Sequence, residues 1–513
     1  MNIISRDHDS SVKQDFDVII IGGGIYGATL ALTASQLGLT NLLVEKNDFG
    51  WSTTYNHLRT VHGGLRYLQT MDLPRFFESV SERHWFMKEF PGLARPLPCL
   101  MPLYGNGPYR PSVFKVALKL NDILSRKRNE DVEAGQELAN GQVISAAQVI
   151  QHFPQVDRDG LKGGAVWYDG ATPSSQLVIM EMLKKACGGL TTALNYTEGK
   201  KLLVSDNEVT GLLCEDRESG KNFEFKSDNV INATGPWCRS FAATFHNDDP
   251  ELFRYSIAWN VLFNRQALSD HSVAVKPKRP GSRMYFIHGF NNKIMGGTIH
   301  APWSGVSDNP MPDVHDVAAY IDDLNLSIPG LHLRPADVLQ IFAGLLPVQK
   351  QGTDKLASRE VIKDHGATGG PKGAFSVSGV KFTTARLVAE KVIRQVFSNR
   401  TLIPVSISER AKTTPLNELG PIYPYDWQPE NNNQEWKEQL KNIIKEQSVF
   451  HLEDLILRRT SLGDNPLRAL AIAPSLVELF EWDEQRRAEE IKRLKTYFEN
   501  RTFSELVDHQ EAT

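Results

Sequence analysis

Between Asp17 and Lys46 the chain reads DVIIIGGGIYGATLALTASQLGLTNLLVEK: an apolar run, a glycine turn, a helical segment and a second apolar run ending in Glu45. A strand, a tight turn and a helix in that order build a dinucleotide pocket, and nothing else in the sequence constrains the fold as strongly. Gly22 permits the sharp turn, Gly24 lets backbone approach a diphosphate, and Gly27 lets the helix pack closely on its sheet. The diphosphate then rests on the helix N-terminus, where unpaired N–H groups and the positive end of the dipole favour an anion. Glu45 ends the second run, where a carboxylate accepts hydrogen bonds from an adenosine ribose carrying a free 2′-hydroxyl. The motif alone does not choose between NAD and FAD.

A chain of 513 residues exceeds one simple core, so two or three lobes are expected. Its 41% hydrophobic and 23% charged residues are those of a soluble globular protein, and a net charge of -4 gives no general pull toward nucleic acid. Cys99, Cys187, Cys214 and Cys238 are scattered without CxxC spacing, which argues against a zinc site or redox pair and predicts no metal centre. The polar N-terminus lacks signal-peptide character, and no apolar run approaches the roughly 18 residues that span a bilayer. These features predict a cytoplasmic protein.

After the nucleotide unit, WSTTYNHLRTVHGGLRYLQ reads as a loop facing the cofactor. Asp72 and Pro74 then start a helix with apolar residues at helical spacing. Val113 to Leu124 is amphipathic, with Lys115 and Lys119 followed by Arg126, Lys127 and Arg128; a solvated face is the simpler reading and contact with anionic lipid the alternative. Short β-like runs from Thr191 to Thr234 close on NVINATGPW, and MYFIHGF and KIMGGTI are joined by an Asn291-Asn292 turn, predicting a central antiparallel sheet. After Val405 the composition turns helical and charged, with Leu452 to Leu457 and Arg468 to Tyr497 forming a small cap.

Together IGGGIYGA, HGGLRYL, NATGPW, SGVKFTTAR and EDLILRRTSLGD resemble FAD-dependent glycerol-3-phosphate dehydrogenases and oxidases, within the D-amino-acid-oxidase-like flavoproteins. The resemblance implies an α/β chain, α+β overall, with a Rossmann-like FAD-binding domain, an antiparallel-sheet substrate domain and a C-terminal helical cap. The corresponding pieces are 1–95, 160–250 and 340–400 for FAD, 96–159 and 251–339 for substrate, and 401–513 for the cap. It also implies hydride transfer from a CH–OH carbon to flavin N5. By motif, Gly22, Gly24, Gly27 and Glu45 hold the ADP half, while Ser52, Thr53, His62, Gly63, Gly64 and Leu65 lie along the pyrophosphate and ring. Thr234 and Gly235 pass the adenosine side; Gly379, Lys381, Phe382 and Thr383 pass the ribityl chain and flavin edge. Backbone N–H groups at Gly63 and Gly379 could donate to flavin oxygens, and Lys381 could supply a cation near N1.

The chain departs from the family pattern near the substrate. SSK before the IHGG motif is replaced by His57-Leu58-Arg59, KGSH by Ala258-Trp259-Asn260-Val261, and GVRP by Gly344-Leu345-Leu346-Pro347. The TRD arginine has a counterpart in Arg359, which is left as the anion anchor. Trp259, Leu345 and Leu346 predict a more apolar pocket that suits a polyol, sugar or hydroxy acid better than glycerol 3-phosphate. With the family histidine absent, His57 is the first candidate base, His288 the second and His300 the third. His57 as a covalent flavin attachment is an alternative. Arg66 and Tyr67 either reach the substrate or fix their loop, whereas Trp85, Trp237, Arg458 and Arg459 are read as packing and docking. The competing functions are an amine-oxidising relative and a catalytically silent FAD-binding protein. The implied partners are a small-molecule substrate and a quinone or oxygen as electron acceptor, with peripheral membrane contact at the inner face.

Overall fold

Val18–Ile21 is buried on both faces and forms the centre of a six-stranded sheet. The computed structural model describes residues 3–105, 107–279, 281–404 and 434–503, so 405–433 and 504–513 of the expected cap lie outside the described residues. Val18–Ile21 pairs in parallel with Asn41–Val44 and Val230–Asn232; Thr191–Leu194 and Ala374–Ser378 extend the sheet, and Val361–Asp364 adds an antiparallel edge. Alternate residues go to opposite layers, as strand geometry requires. Val18, Ile20 and Leu43 pack with the helices Ile25–Gln36, Ser175–Cys187 and Ala385–Val396, while Ile19, Ile21, Leu42 and Val44 pack with Leu202, Leu212 and Phe225 of a three-stranded antiparallel sheet.

A second, nine-stranded sheet is mainly antiparallel, with one parallel step between Ser272–Val275 and Arg95–Leu103. In it Tyr255–Gln266 lies between Lys293–Pro302 and Val338–Pro347. The expected hairpin is present, with Asn291 and Asn292 at φ 50° and 59°, the left-handed turn that asparagine tolerates. Three strands depart from the domain boundaries read from sequence. Thr60–Val61, Gly163–Ala171 and Val338–Pro347 belong to this second sheet, although the sequence reading places the first two and residues 340–347 of the third in the FAD pieces. A short apolar run carries no mark of which sheet it will join; long-range pairing decides that.

The C-terminal helices pack around Leu440, Leu455, Ile472 and Leu494 and rest on Tyr55, Leu262 and Phe342. Arg458 and Arg459 reach across to Asp48, which is fully buried: Arg459 donates from Nη1 and Nη2 at 2.7 Å each, and Arg458 from Nε at 2.5 Å. The docking role expected for this arginine pair thus has a definite partner. The helix Pro111–Leu124 turns Phe114 and Leu118 inward but leaves Val113, Val116, Leu120 and Ile123 exposed beside Lys115 and Lys119. Among the described residues no helix is long and apolar enough to cross a membrane.

Candidate active site

The glycine turn behaves as its spacing requires. Gly22 has φ +105°, and a Cβ on Gly27 would stand 1.7 Å from the Gly22 carbonyl oxygen, so only glycine fits where helix meets strand. Glu45 accepts from Gly23 N at 2.6 Å and from Asn47 N and Trp51 Nε1 at 2.9 Å each. Burial nevertheless pushes this carboxyl above its ordinary value, so a further donor such as a ribose hydroxyl would favour the charged form. Thr54 Oγ1 accepts from Ile25 N at 2.9 Å and so meets one of the open donors at the start of the helix. Lys46 Nζ lies 4.1 Å from the ring centre of Trp237, which itself lies 5.4 Å from the ring centre of Trp51. Trp237 therefore belongs to the site wall rather than to interior packing alone.

This turn opens into a cavity of about 1180 Å³, at the large end for ligand sites and large enough for a dinucleotide with a substrate beside it. Gly22, Gly24, Glu45, Ser52, Thr53, His57, His62, Gly64, Leu65, Arg66, Thr234, Gly235, Gly379, Lys381, Phe382 and Thr383 all line it. Segments far apart in sequence are stitched at its centre. Tyr26 donates its hydroxyl to Lys381 O at 2.8 Å, and its ring lies where a Cβ on Gly379 would be, 1.7 Å away. Thr53 Oγ1 donates to Leu345 O at 3.2 Å, joining the cofactor loop to the second sheet.

Four expected site residues lie elsewhere. Gly27 sits beneath the turn and serves packing, as its motif position predicts. Gly63 donates its N–H to Asp169 Oδ1 at 2.7 Å, and a Cβ on it would meet Arg83 Nη1 at 1.8 Å; its backbone is therefore spent on this pair instead of a flavin oxygen. Burial raises Asp169, but His62, Arg83 and Gly63 N–H outweigh it and hold the carboxyl at about 2. His288 is buried in its strand outside the cavity lining. Arg359 is also outside the lining and forks onto Glu78 at 2.8 and 2.9 Å, so its charge is already paired. This corrects its reading as anion anchor. Trp259 is likewise 1% exposed in the core of the second sheet, while its neighbours Ala258 and Asn260 line the cavity.

His57 stacks on Phe382 with ring centres 4.5 Å apart, and its Nδ1 accepts from Arg59 N at 3.2 Å. A neutral ring accepting at Nδ1 carries its proton on Nε2, which has no partner among the described residues, so taking up a second proton at Nδ1 means giving up the Arg59 bond. Burial, with Arg59 and His62, holds the ring well below its ordinary value. His300 lies opposite Ala258 across the sheet and lines the substrate end, held at about 4 by burial and by Arg283 and Arg66. Leu346, Lys355 and Tyr67 also line the cavity. Lys381 donates from Nζ to the Tyr67 hydroxyl, so its ammonium faces that phenol. Sequence reasoning passed over Asp48, Trp51, Thr54, Asp169 and Lys355; Asp48, Trp51 and Thr54 had a local signal, in following Glu45 within nine residues.

Residues 17–394 match the family described as FAD dependent oxidoreductase. The chain is 27% identical to the probable mitochondrial glycerol-3-phosphate dehydrogenase of Dictyostelium discoideum, over 95% of this chain and 84% of that protein. It is also 27% identical to the aerobic glycerol-3-phosphate dehydrogenase of Bacillus subtilis, over 74% of this chain and 66% of that one. The crystal structure of the glycerol-3-phosphate dehydrogenase from Bacillus halodurans complexed with FAD superimposes with a TM-score of 0.72 at 18% identity, covering 98% of both chains. That last likeness is one of fold.

Proposed function

The chain belongs to the FAD-dependent oxidoreductase family, and from that premise we propose that it oxidises a CH–OH group of a polyol, sugar or hydroxy acid other than glycerol 3-phosphate. Bound FAD supplies the two-electron acceptor for the hydride that leaves the carbinol carbon. The chain's own residues fit that group: a glycine turn closed to any Cβ, Glu45 at the ribose end and a cavity of sufficient volume. Gly22, Gly24, Glu45, Thr234 and Gly235 would hold the adenosine half, with Thr53, Gly64, Lys381 and Thr383 toward the ring.

The observation that carries the substrate reading is the apolar floor. Leu346 lines the cavity where the family pattern places an arginine, and Arg359 is paired with Glu78. A phosphate dianion is best held by several charge-assisted donors, and Leu346 withdraws one of them. Arg66, Arg75, Lys355 and Lys381 are among the cations that remain in the lining, which suits an acidic substrate. Anaerobic mixing of the yellow holoenzyme with paired alcohols and amines tests the reading. Bleaching by hydroxy acids or polyols supports it; bleaching by amines alone selects the amine-oxidising alternative, and bleaching by none selects a silent FAD-binding protein.

For the electron acceptor we favour a membrane quinone over oxygen. The exposed row Val113, Val116, Leu120 and Ile123, flanked by Lys115 and Lys119, has the apolar and cationic character that rests on an anionic bilayer. The same row supports a peripheral position on the inner face of a membrane.

A further inference from the structure

We propose that Tyr67 accepts the hydroxyl proton of the substrate and that Lys381 sets its charge, an inference that rests on the alcohol-oxidising reading above. Tyr67 belongs to the one-turn helix Leu65–Leu68, is 8% exposed and lines the cavity. Lys381 donates to its hydroxyl, and the ammonium stands 4.7 Å from the centre of its ring. The guanidinium carbons of Arg66 and Arg75 lie 5.3 and 5.5 Å from the same ring centre. These cations come from three segments: the short helix itself, the following helix, and the loop after the Ala374–Ser378 strand. Asp72, whose N–H donates to Tyr67 O at 3.0 Å, is paired with Arg75 at 2.6 Å.

A phenolate enclosed by cations is stabilised relative to its phenol. Burial pushes the Tyr67 phenol up, but the bonds and charges of Lys381 and Arg66 outweigh it and bring it below its ordinary value of 10.0. A proton acceptor works best with a pKa near working pH. Tyr67 moves toward that range, whereas His57 and His300 both move away from it on the acid side. His62, the remaining histidine of the lining, turns Nδ1 toward Asp169 at 3.4 Å.

In the step, the substrate O–H bond breaks and its proton bonds to Tyr67 Oη. The carbinol C–H bond breaks with its electron pair leaving as hydride to the flavin, the oxidant, and the C–O bond becomes C=O. Loss of the proton to solvent restores the phenolate.

Two measurements on the holoenzyme test this. Ultraviolet tyrosinate titration of wild type and Tyr67→Phe should differ by one group that ionises ahead of the other tyrosines; superimposable curves overturn the proposal. Anaerobic flavin reduction by DL-lactate, DL-glycerate, glycerol and glycerol 3-phosphate gives the second readout. Against whichever probe reduces wild type, Tyr67→Phe should slow reduction by about 100-fold, the lower end of the range for general-base catalysis. Lys381→Met keeps the phenol and should move the pH midpoint of reduction upward, because the phenolate loses its nearest cation; an unmoved midpoint overturns the proposal even if Tyr67→Phe fails to fold. A Tyr67→Phe rate within about threefold of wild type would point to His62 instead. If amines bleach the wild-type flavin and no alcohol does, the alcohol reading itself falls, and this inference with it.

Discussion

The two ends of the cavity are built by different means. At the nucleotide end, shape comes from backbone: a glycine at φ +105°, another with no room for a Cβ, and a carboxylate held by two main-chain N–H groups and an indole. At the substrate end, shape comes from side chains that strand pairing brings together, such as His300 opposite Ala258 and Leu346 opposite Ser256. A backbone cradle tolerates little change. A floor of side chains can be replaced one residue at a time while the cofactor stays in place.

The largest effect should come from the clamp behind the nucleotide end. Asp48→Ala takes the paired carboxylate from buried Arg459 and leaves Arg458 only Asp454 and Glu453, and breaking a buried pair costs about 3–5 kcal/mol. Chemical denaturation of holoenzyme should show that loss together with faster FAD release; unchanged release would separate the cap from the cofactor end. Next is a pH effect in the cap. Burial pushes Asp464 from 3.8 up to about 7, and its Oδ2 accepts from Asn291 Nδ2 at 3.4 Å. A carboxyl raised in the folded state contributes stability below its unfolded pKa that is lost as pH rises through the folded one. Melting temperature should therefore decline between about pH 4 and pH 8, and Asp464→Asn should flatten that decline.

At the substrate end, Leu346→Arg should lower KM for glycerol 3-phosphate by about tenfold or more, since a hydrogen bond to a charged group is worth about 1.5–3 kcal/mol. Steady-state assays with bound FAD unchanged would sharpen the contrast between a fixed cradle and a replaceable floor; loss of FAD would blur it. The smallest effect on the site should follow Val116→Glu, at a residue 70% exposed that does not itself line the cavity. It should weaken flotation with anionic vesicles while leaving flavin reduction unaltered, and undiminished flotation would remove the Pro111–Leu124 helix as a lipid contact.

The same contrast explains what the sequence made legible. The glycine turn, Glu45, the Asp72 cap on its helix and the Asn291-Asn292 hairpin are local, so spacing alone located them. Gly63 was misread because its neighbours Arg83 and Asp169 lie far along the chain and meet it only in the fold. Arg359 was misread for the same reason, its partner being Glu78 on a helix from the other end of the chain. Trp259 could have been placed correctly: strand alternation sets it on the face opposite Ala258 and Asn260. His57 lies on a loop that lines the cavity, and the Arg59 N–H that occupies its Nδ1 does so only once that loop is folded.

The clamp between Asp48 and Arg459 spans 411 residues. At a synthesis rate of 5–20 residues per second, Asp48 is added roughly 20–80 s before Arg459. For that interval the glycine turn exists with its loop unlatched. Assembly of the holoenzyme is thus ordered in time: a cofactor seat begun at Gly22 is latched only after Arg459 has been added.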